Sequence, residues 1–145
     1  MTTVAVRAGV MAADSAYTVG GLRLPAGACG PKIYRLANGW LVSFAGSPAD
    51  DERIKTWLEG GGVGDVVGED SEHTNSLVLK PDQTIWGFDG AKPTLYRYYC
   101  EFMAVGSGEI AAMAAMHAGA GAARAVEIAA LCDRCTELPV QVERL

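Results

Sequence analysis

The sequence predicts an α+β domain in which antiparallel strands and helices are segregated from one another. Three observations carry this. Apolar residues alternate on a two-residue period at the start of the chain, and a short turn then sends it back. Tight-turn signals, Asn38-Gly39 and Pro81-Asp82-Gln83, join further apolar runs of strand length. The helical stretches fall in blocks and do not follow each strand in turn, as a parallel α/β chain would require. A length of 145 residues suits one domain, 1–145, burying about two-thirds of its unfolded surface.

Thr2 to Val6 reads as the first strand, Arg7-Ala8-Gly9 as a turn, and Val10 to Ala13 as the returning strand. Thr18 to Gly27 reads as an irregular connection rich in turn residues. Lys32 to Leu36 alternates as a strand. Trp40 to Ala45 has few polar positions, which predicts a central strand buried on both faces. Ser47 can cap a helix, Pro48 suits its first turn, and Asp50 and Asp51 face its positive end. That helix should run to Glu59, with Ile54, Trp57 and Leu58 on its apolar stripe, and Gly60-Gly61-Gly62 should stop it. Ser76–Leu79 and Thr84–Phe88 make a second hairpin, and Leu95–Tyr99 and Phe102–Val105 are further strands. Gly106-Ser107-Gly108 turns into a helix from Glu109 to His117, Gly119 and Gly121 interrupt it, and a second helix spans Ala122 to Leu131. Gln141 to Leu145 closes the chain as a short strand.

Half of the residues are hydrophobic, which marks a globular chain. A net charge of −5 argues against nucleic acid as a partner. No apolar run approaches the roughly 20 residues of a membrane span, and the start lacks the basic and apolar regions of a secretory signal. A cytoplasmic location is the expectation. Cys132-x-x-Cys135 has metal or redox spacing, but Cys29, Cys100, His73 and His117 are scattered singly, so free, at least partly buried thiols are expected.

The chemistry starts at Thr2. Removal of Met1 before so small a residue is expected, and it would give Thr2 a free α-amine beside its hydroxyl. Such an amine titrates near 7.7–8, so a useful fraction is neutral and can act as base for the hydroxyl. The first hairpin brings Asp14 back near Thr2. Thr2-Thr3-Val4 and Ala12-Ala13-Asp14-Ser15 resemble the opening of the amino-terminal threonine hydrolases, proteasome β-subunits and more closely the bacterial HslV-type protease.

That resemblance implies a four-layer αββα sandwich: two antiparallel sheets face to face with helices outside. It also implies roles for particular residues. Lys32, within Lys32-Ile33-Tyr34-Arg35-Leu36, matches the lysine whose ammonium favours the threonine alkoxide and lowers the amine's pKa, with Asp14 as counter-ion. Val42 to Gly46 matches the segment whose backbone N–H forms the oxyanion hole, with Ser43 where the family usually has glycine. Ser107 matches a hydroxyl that relays protons beside the amine. Asp133 and Thr136 match an Asp-x-x-Ser/Thr pair that holds the amine and Ser107. The connection from Thr18 to Gly27 would line the substrate cleft. No metal or cofactor is implied.

Each residue alone has a plainer reading. Asp14 could be a turn residue, Lys32 an exposed strand lysine, Ser107 a helix cap, and Asp133 and Thr136 a polar loop; together they read as a site. The function expected is a threonine-type endopeptidase acting on a peptide or unfolded protein. The resemblance further implies a homo-oligomeric ring fed by an AAA+ unfoldase. Two other readings stand beside it: a catalytically silent assembly subunit, and an amidohydrolase acting on a small amide. The chain is shorter than the subunits it resembles, between Gly60 and Ser76 and before Phe102.

Overall fold

The computed structural model describes residues 1–45, 51–63, 75–89 and 92–145. The opening hairpin forms as its alternation predicts. Strands β1 (Thr3–Arg7) and β2 (Val10–Ala13) pair antiparallel, with Arg7 opposite Val10. Ala8 and Gly9 both have positive φ, 50° and 73°, which gives the two-residue loop the twist of its strands.

Residues Tyr17–Val19 (β3) and Leu22–Leu24 (β4) form a small two-stranded hairpin, where an irregular connection was expected. Gly20 and Gly21, with φ of 56° and 83°, make its turn. Two glycines of this kind permit a hairpin even where the strands carry little apolar pattern.

Five strands then form one antiparallel meander: β5 (Ile33–Arg35), β6 (Leu41–Ala45), β7 (Asn75–Leu79), β8 (Ile85–Asp89) and β9 (Lys92–Tyr98). Residues 41 to 44 of β6 are buried, as its composition predicts, but β7 and not β6 is the central strand. Helix α1 (Asp51–Glu59) buries Ile54, Trp57 and Leu58. Ser47 and Pro48, expected to start it, lie outside the described residues.

Strand β10 (Phe102–Gly106) returns to pair with β1. Helices α2 (Glu109–His117) and α3 (Ala122–Cys132) follow, and β11 (Gln141–Arg144) pairs with β2. The second sheet therefore runs β10-β1-β2-β11, with β1 in its interior.

The strand alternation sorts the core into three contacts. Val4, Val6, Met11 and Ala13 meet Ile33, Leu41, Leu77 and Leu79 between the two sheets. Ala5, Ala12 and Ala104 face α2 and α3 through Ala112, Ala115, Ala125 and Ala129. Small side chains on both sides let the helix backbones lie close to the sheet. On the far side, Ile54, Trp57 and Leu58 of α1 pack on Val42, Val78 and Phe88. Each fully buried Val, Leu or Phe contributes about 1.5–3 kcal/mol. The result is α+β, with antiparallel sheets packed face to face and helices outside. The four-layer arrangement is seen in part, since α1 is the described cover of the five-stranded sheet.

Arg7, at the end of β1, donates from Nη1 to the carbonyls of Met116 and Ala120, 2.7 Å each, and so caps the end of α2. The expected free thiols are confirmed among the described residues, but Cys29, Cys100 and Cys132 are exposed and only Cys135 is half-buried. No group of three or more His, Cys, Asp or Glu among the described residues could hold a metal ion. Nor is any helix of the described residues long and apolar enough to cross a membrane.

Candidate active site

The turn after β2 places Asp14 beside the start of β1, fully buried. Its carboxylate is the hub of the region. Oδ1 accepts from the backbone N–H of Thr3 at 2.9 Å and from Lys32 Nζ at 2.7 Å. Oδ2 accepts from the N–H groups of Ala16 at 2.8 Å and Glu137 at 3.2 Å. One side chain thus ties together the first strand, the turn after the second, the start of β5 and the loop before β11.

Lys32 stands just before β5 and is only 3% exposed. Burial pushes its ammonium below its ordinary value of 10.5, while Asp14, by charge and hydrogen bond, pulls it back up. A second bond runs from Nζ to the Met1 carbonyl at 3.2 Å. The lysine therefore touches the peptide bond that joins Met1 to Thr2. The exposed strand lysine that its neighbours alone would allow is not what forms.

Thr2 is 8% exposed and precedes β1. Its carbonyl accepts from the Ser107 N–H at 3.0 Å. A Cβ on Gly106, whose φ is +103°, would stand 1.8 Å from that carbonyl oxygen, so glycine is required there. Thr3 turns toward the helices, and strand alternation turns Thr2 the other way, to the face that carries Val4 and Val6.

Behind Thr3 lies a chain of hydroxyls. Thr3 Oγ1 is 2.6 Å from Thr136 Oγ1 and accepts from the Gly108 N–H at 2.9 Å. Thr136 Oγ1 in turn donates to Asp133 Oδ2 at 2.6 Å. The Ser107 hydroxyl also bonds Asp133. Burial would raise the Asp133 carboxyl, but its bonds from Thr136, Ser107 and the Cys135 N–H outweigh this and leave it below its ordinary value of 3.8. Ser107 does not cap α2: Gly108 holds the N-cap position with no side-chain bond. A Cβ on Gly108 would come within 2.7 Å of Thr3 Oγ1 and 2.8 Å of Thr136 Oγ1, so close packing keeps that glycine too.

Ser43 lies inside β6, opposite Ile33 on one side and Leu77 on the other. An interior position of this kind commits its N–H to the ladder. Its side chain shares the inward face of Ile33, is fully buried, and its Oγ has no hydrogen-bond partner among the described residues. The rest of the segment expected to form the oxyanion hole, from Gly46 on, lies outside the described residues.

The structure thus joins Asp14, Lys32 and the Thr2 peptide directly, and Ser107, Asp133 and Thr136 to each other and to Thr3. Thr3 was missed from sequence, although a polar residue on the helix-facing side of a buried strand is itself a signal. Glu137 was missed as well. Its N–H bonds Asp14, and its Oε2 is buried without a partner among the described residues.

No family model matches the chain, and no curated protein sequence matches it. Solved structures do. Thiobacillus denitrificans BPH matches at 23% identity and a TM-score of 0.70, over 99% of this chain and 96% of that one. The same protein in complex with epoxomicin matches at 22% and 0.70, over 99% and 97%. Eukaryotic HslV from Trypanosoma brucei matches at 21% and 0.73, over 99% and 98%. The chain therefore has the proteasome-like, HslV-like fold of the amino-terminal nucleophile hydrolases.

Proposed function

We propose that the protein is a threonine-type endopeptidase whose nucleophile is Thr2 after loss of Met1. The reading includes the four-layer αββα form of the fold. The observation that carries it is the buried Lys32–Asp14 pair at 2.7 Å, with the lysine also bonded to the Met1 carbonyl. A buried ion pair is weak evidence for stability, so its position against one particular peptide bond asks for a chemical reason.

Once Met1 is gone, the Nζ donor that it held is free to face the Thr2 hydroxyl. The α-amine takes the hydroxyl proton as Oγ attacks the substrate carbonyl. The oxyanion forms beside Ser43 of β6, whose hydroxyl is a donor with no partner among the described residues, and the segment from Gly46 follows in the sequence. Collapse breaks the C–N bond, the amine returns the proton to the leaving group, and water hydrolyses the ester with the amine again as base. Lys32 stabilises the developing alkoxide and Asp14 fixes Lys32. Ser107, Asp133 and Thr136 hold the backbone around the amine and pass protons.

A peptide or unfolded protein is the substrate in this reading, in the cytoplasm, inside a homo-oligomeric ring that an AAA+ unfoldase could feed. Intact mass before and after treatment with epoxomicin, the compound in the BPH complex, tests the core of it. The expected results are a chain lacking Met1 and a gain of one inhibitor mass that Thr2→Ala abolishes. A chain that keeps Met1 quantitatively and still cleaves peptides would overturn the mechanism. A chain that keeps Met1 and is inert favours the silent assembly subunit.

A further inference from the structure

A lysine ammonium carries three N–H donors. For Lys32 the structure names two partners, Asp14 Oδ1 and the Met1 carbonyl. On another side stands Tyr17, with its ring centroid 4.9 Å from Nζ, inside the range of a cation–π contact. We propose that Tyr17 is a positioning residue of this site, its aromatic face being the third partner of the Lys32 ammonium. The inference rests on the peptidase reading for its effect on rate, but not for the contact itself.

Three features make the contact part of the build. The β3–β4 hairpin belongs to neither sheet, and Val19 and Leu22 on it are exposed, whereas Tyr17 is half-buried. The backbone leading into Tyr17 is held by Asp14, whose Oδ2 takes the Ala16 N–H while its Oδ1 takes Lys32. One carboxylate thus sets both the lysine and the ring that covers it. The hairpin's other anchor also reaches the site region: Arg23 Nη2 donates to the Arg134 carbonyl at 2.5 Å, and Nη1 pairs with Glu137 at 3.4 Å. Burial, with Asp51, Cys29 and Asp14 nearby, pushes the Tyr17 phenol up to about 12, so the ring stays neutral wherever the lysine is charged.

The titratable groups that act on Lys32 are Asp14 just after β2, Cys29 in the loop before β5, and Glu137 in the loop before β11. All act to keep the ammonium charged, and burial opposes them. Leucine at position 17 would retain the burial and remove the ring's attraction. The ammonium would then lose its proton at lower pH, and a reaction that needs it would fail at lower pH.

The test compares the pH dependence of peptide hydrolysis for mature wild type, Tyr17→Phe and Tyr17→Leu, with melting curves as a folding check. Tyr17→Phe should keep the rate within about twofold and leave the alkaline limb in place. Tyr17→Leu should move that limb down by about 0.5–1.5 pH units and lower the optimum rate roughly tenfold. An unmoved limb in Tyr17→Leu, or equal shifts in both variants, would overturn the proposal. A second measurement survives a misfolded leucine variant or an inert wild type. In the chain that retains Met1, NMR should find the Lys32 Hε protons shifted upfield by the ring. Unshifted protons overturn the contact. Shifted protons in a wild type that hydrolyses nothing uphold it and count against the peptidase reading alone.

Discussion

At Lys32, charge and burial are in direct opposition: burial is the larger effect and holds the ammonium below its ordinary value, while Asp14 pulls it back up. Replacing it with alanine leaves Asp14 buried without its cation, a change that costs about 3–5 kcal/mol. Chemical denaturation should show that loss, and peptide hydrolysis should vanish. Lys32→Arg should restore much of the stability but not turnover, because a planar guanidinium does not present the same donor. Near-normal hydrolysis by Lys32→Ala would rule out its role. Ser43 should behave the opposite way. Its buried hydroxyl has no partner among the described residues, so Ser43→Ala removes a desolvation cost. The variant should match or exceed wild-type stability by about 1 kcal/mol and hydrolyse peptides more slowly. Unchanged hydrolysis would remove Ser43 from the site.

At the scale of elements, the loop from Asp133 to Thr136 couples α3 to the start of β1. The Asp133 carboxyl lies below its ordinary value in the folded chain. Its contribution to stability is therefore fully present above about pH 4 and is lost as pH falls through the folded value. Asp133→Asn should flatten the acid limb of a stability-against-pH curve; an unaltered limb would show that the loop carries no such linkage. These same elements mark what could be read in advance. The first hairpin, α1, α2, α3 and the strands of the meander follow from alternation, turn residues and glycine stops. The β3–β4 hairpin does not, because Tyr17–Val19 is too short and too exposed to show a pattern. Thr3 was hidden for another reason. Its partners, Gly108 and Thr136, are more than a hundred residues away, and only sheet pairing brings them together. Asp14 and Lys32 were legible through resemblance, yet the four bonds of Asp14 were not, since three go to backbone N–H groups that any residue could supply.

For the whole molecule, the prediction concerns assembly. Ile110 and Leu131, on α2 and α3, are 82% and 80% exposed. A homo-oligomer is the expected outcome of sedimentation or mass photometry at micromolar concentration. A strict monomer with full peptidase activity would overturn the proposed ring and favour a small amide as substrate.

The strand that begins with Thr3 pairs with one neighbour across three to nine residues of sequence and with the other across about a hundred, and the ribosome makes them in that order. Residues 2 and 14 are made about a hundred residues or more before the Ser107 N–H, Gly108, Thr136 and the Glu137 N–H that complete their surroundings. The surroundings of Thr2 and Asp14 are thus complete only after residue 137 has been made. A chain ending before residue 102 would lack β10, and with it the backbone that receives the Thr2 carbonyl. Such a fragment should not react with epoxomicin even after losing Met1, and intact mass would check this.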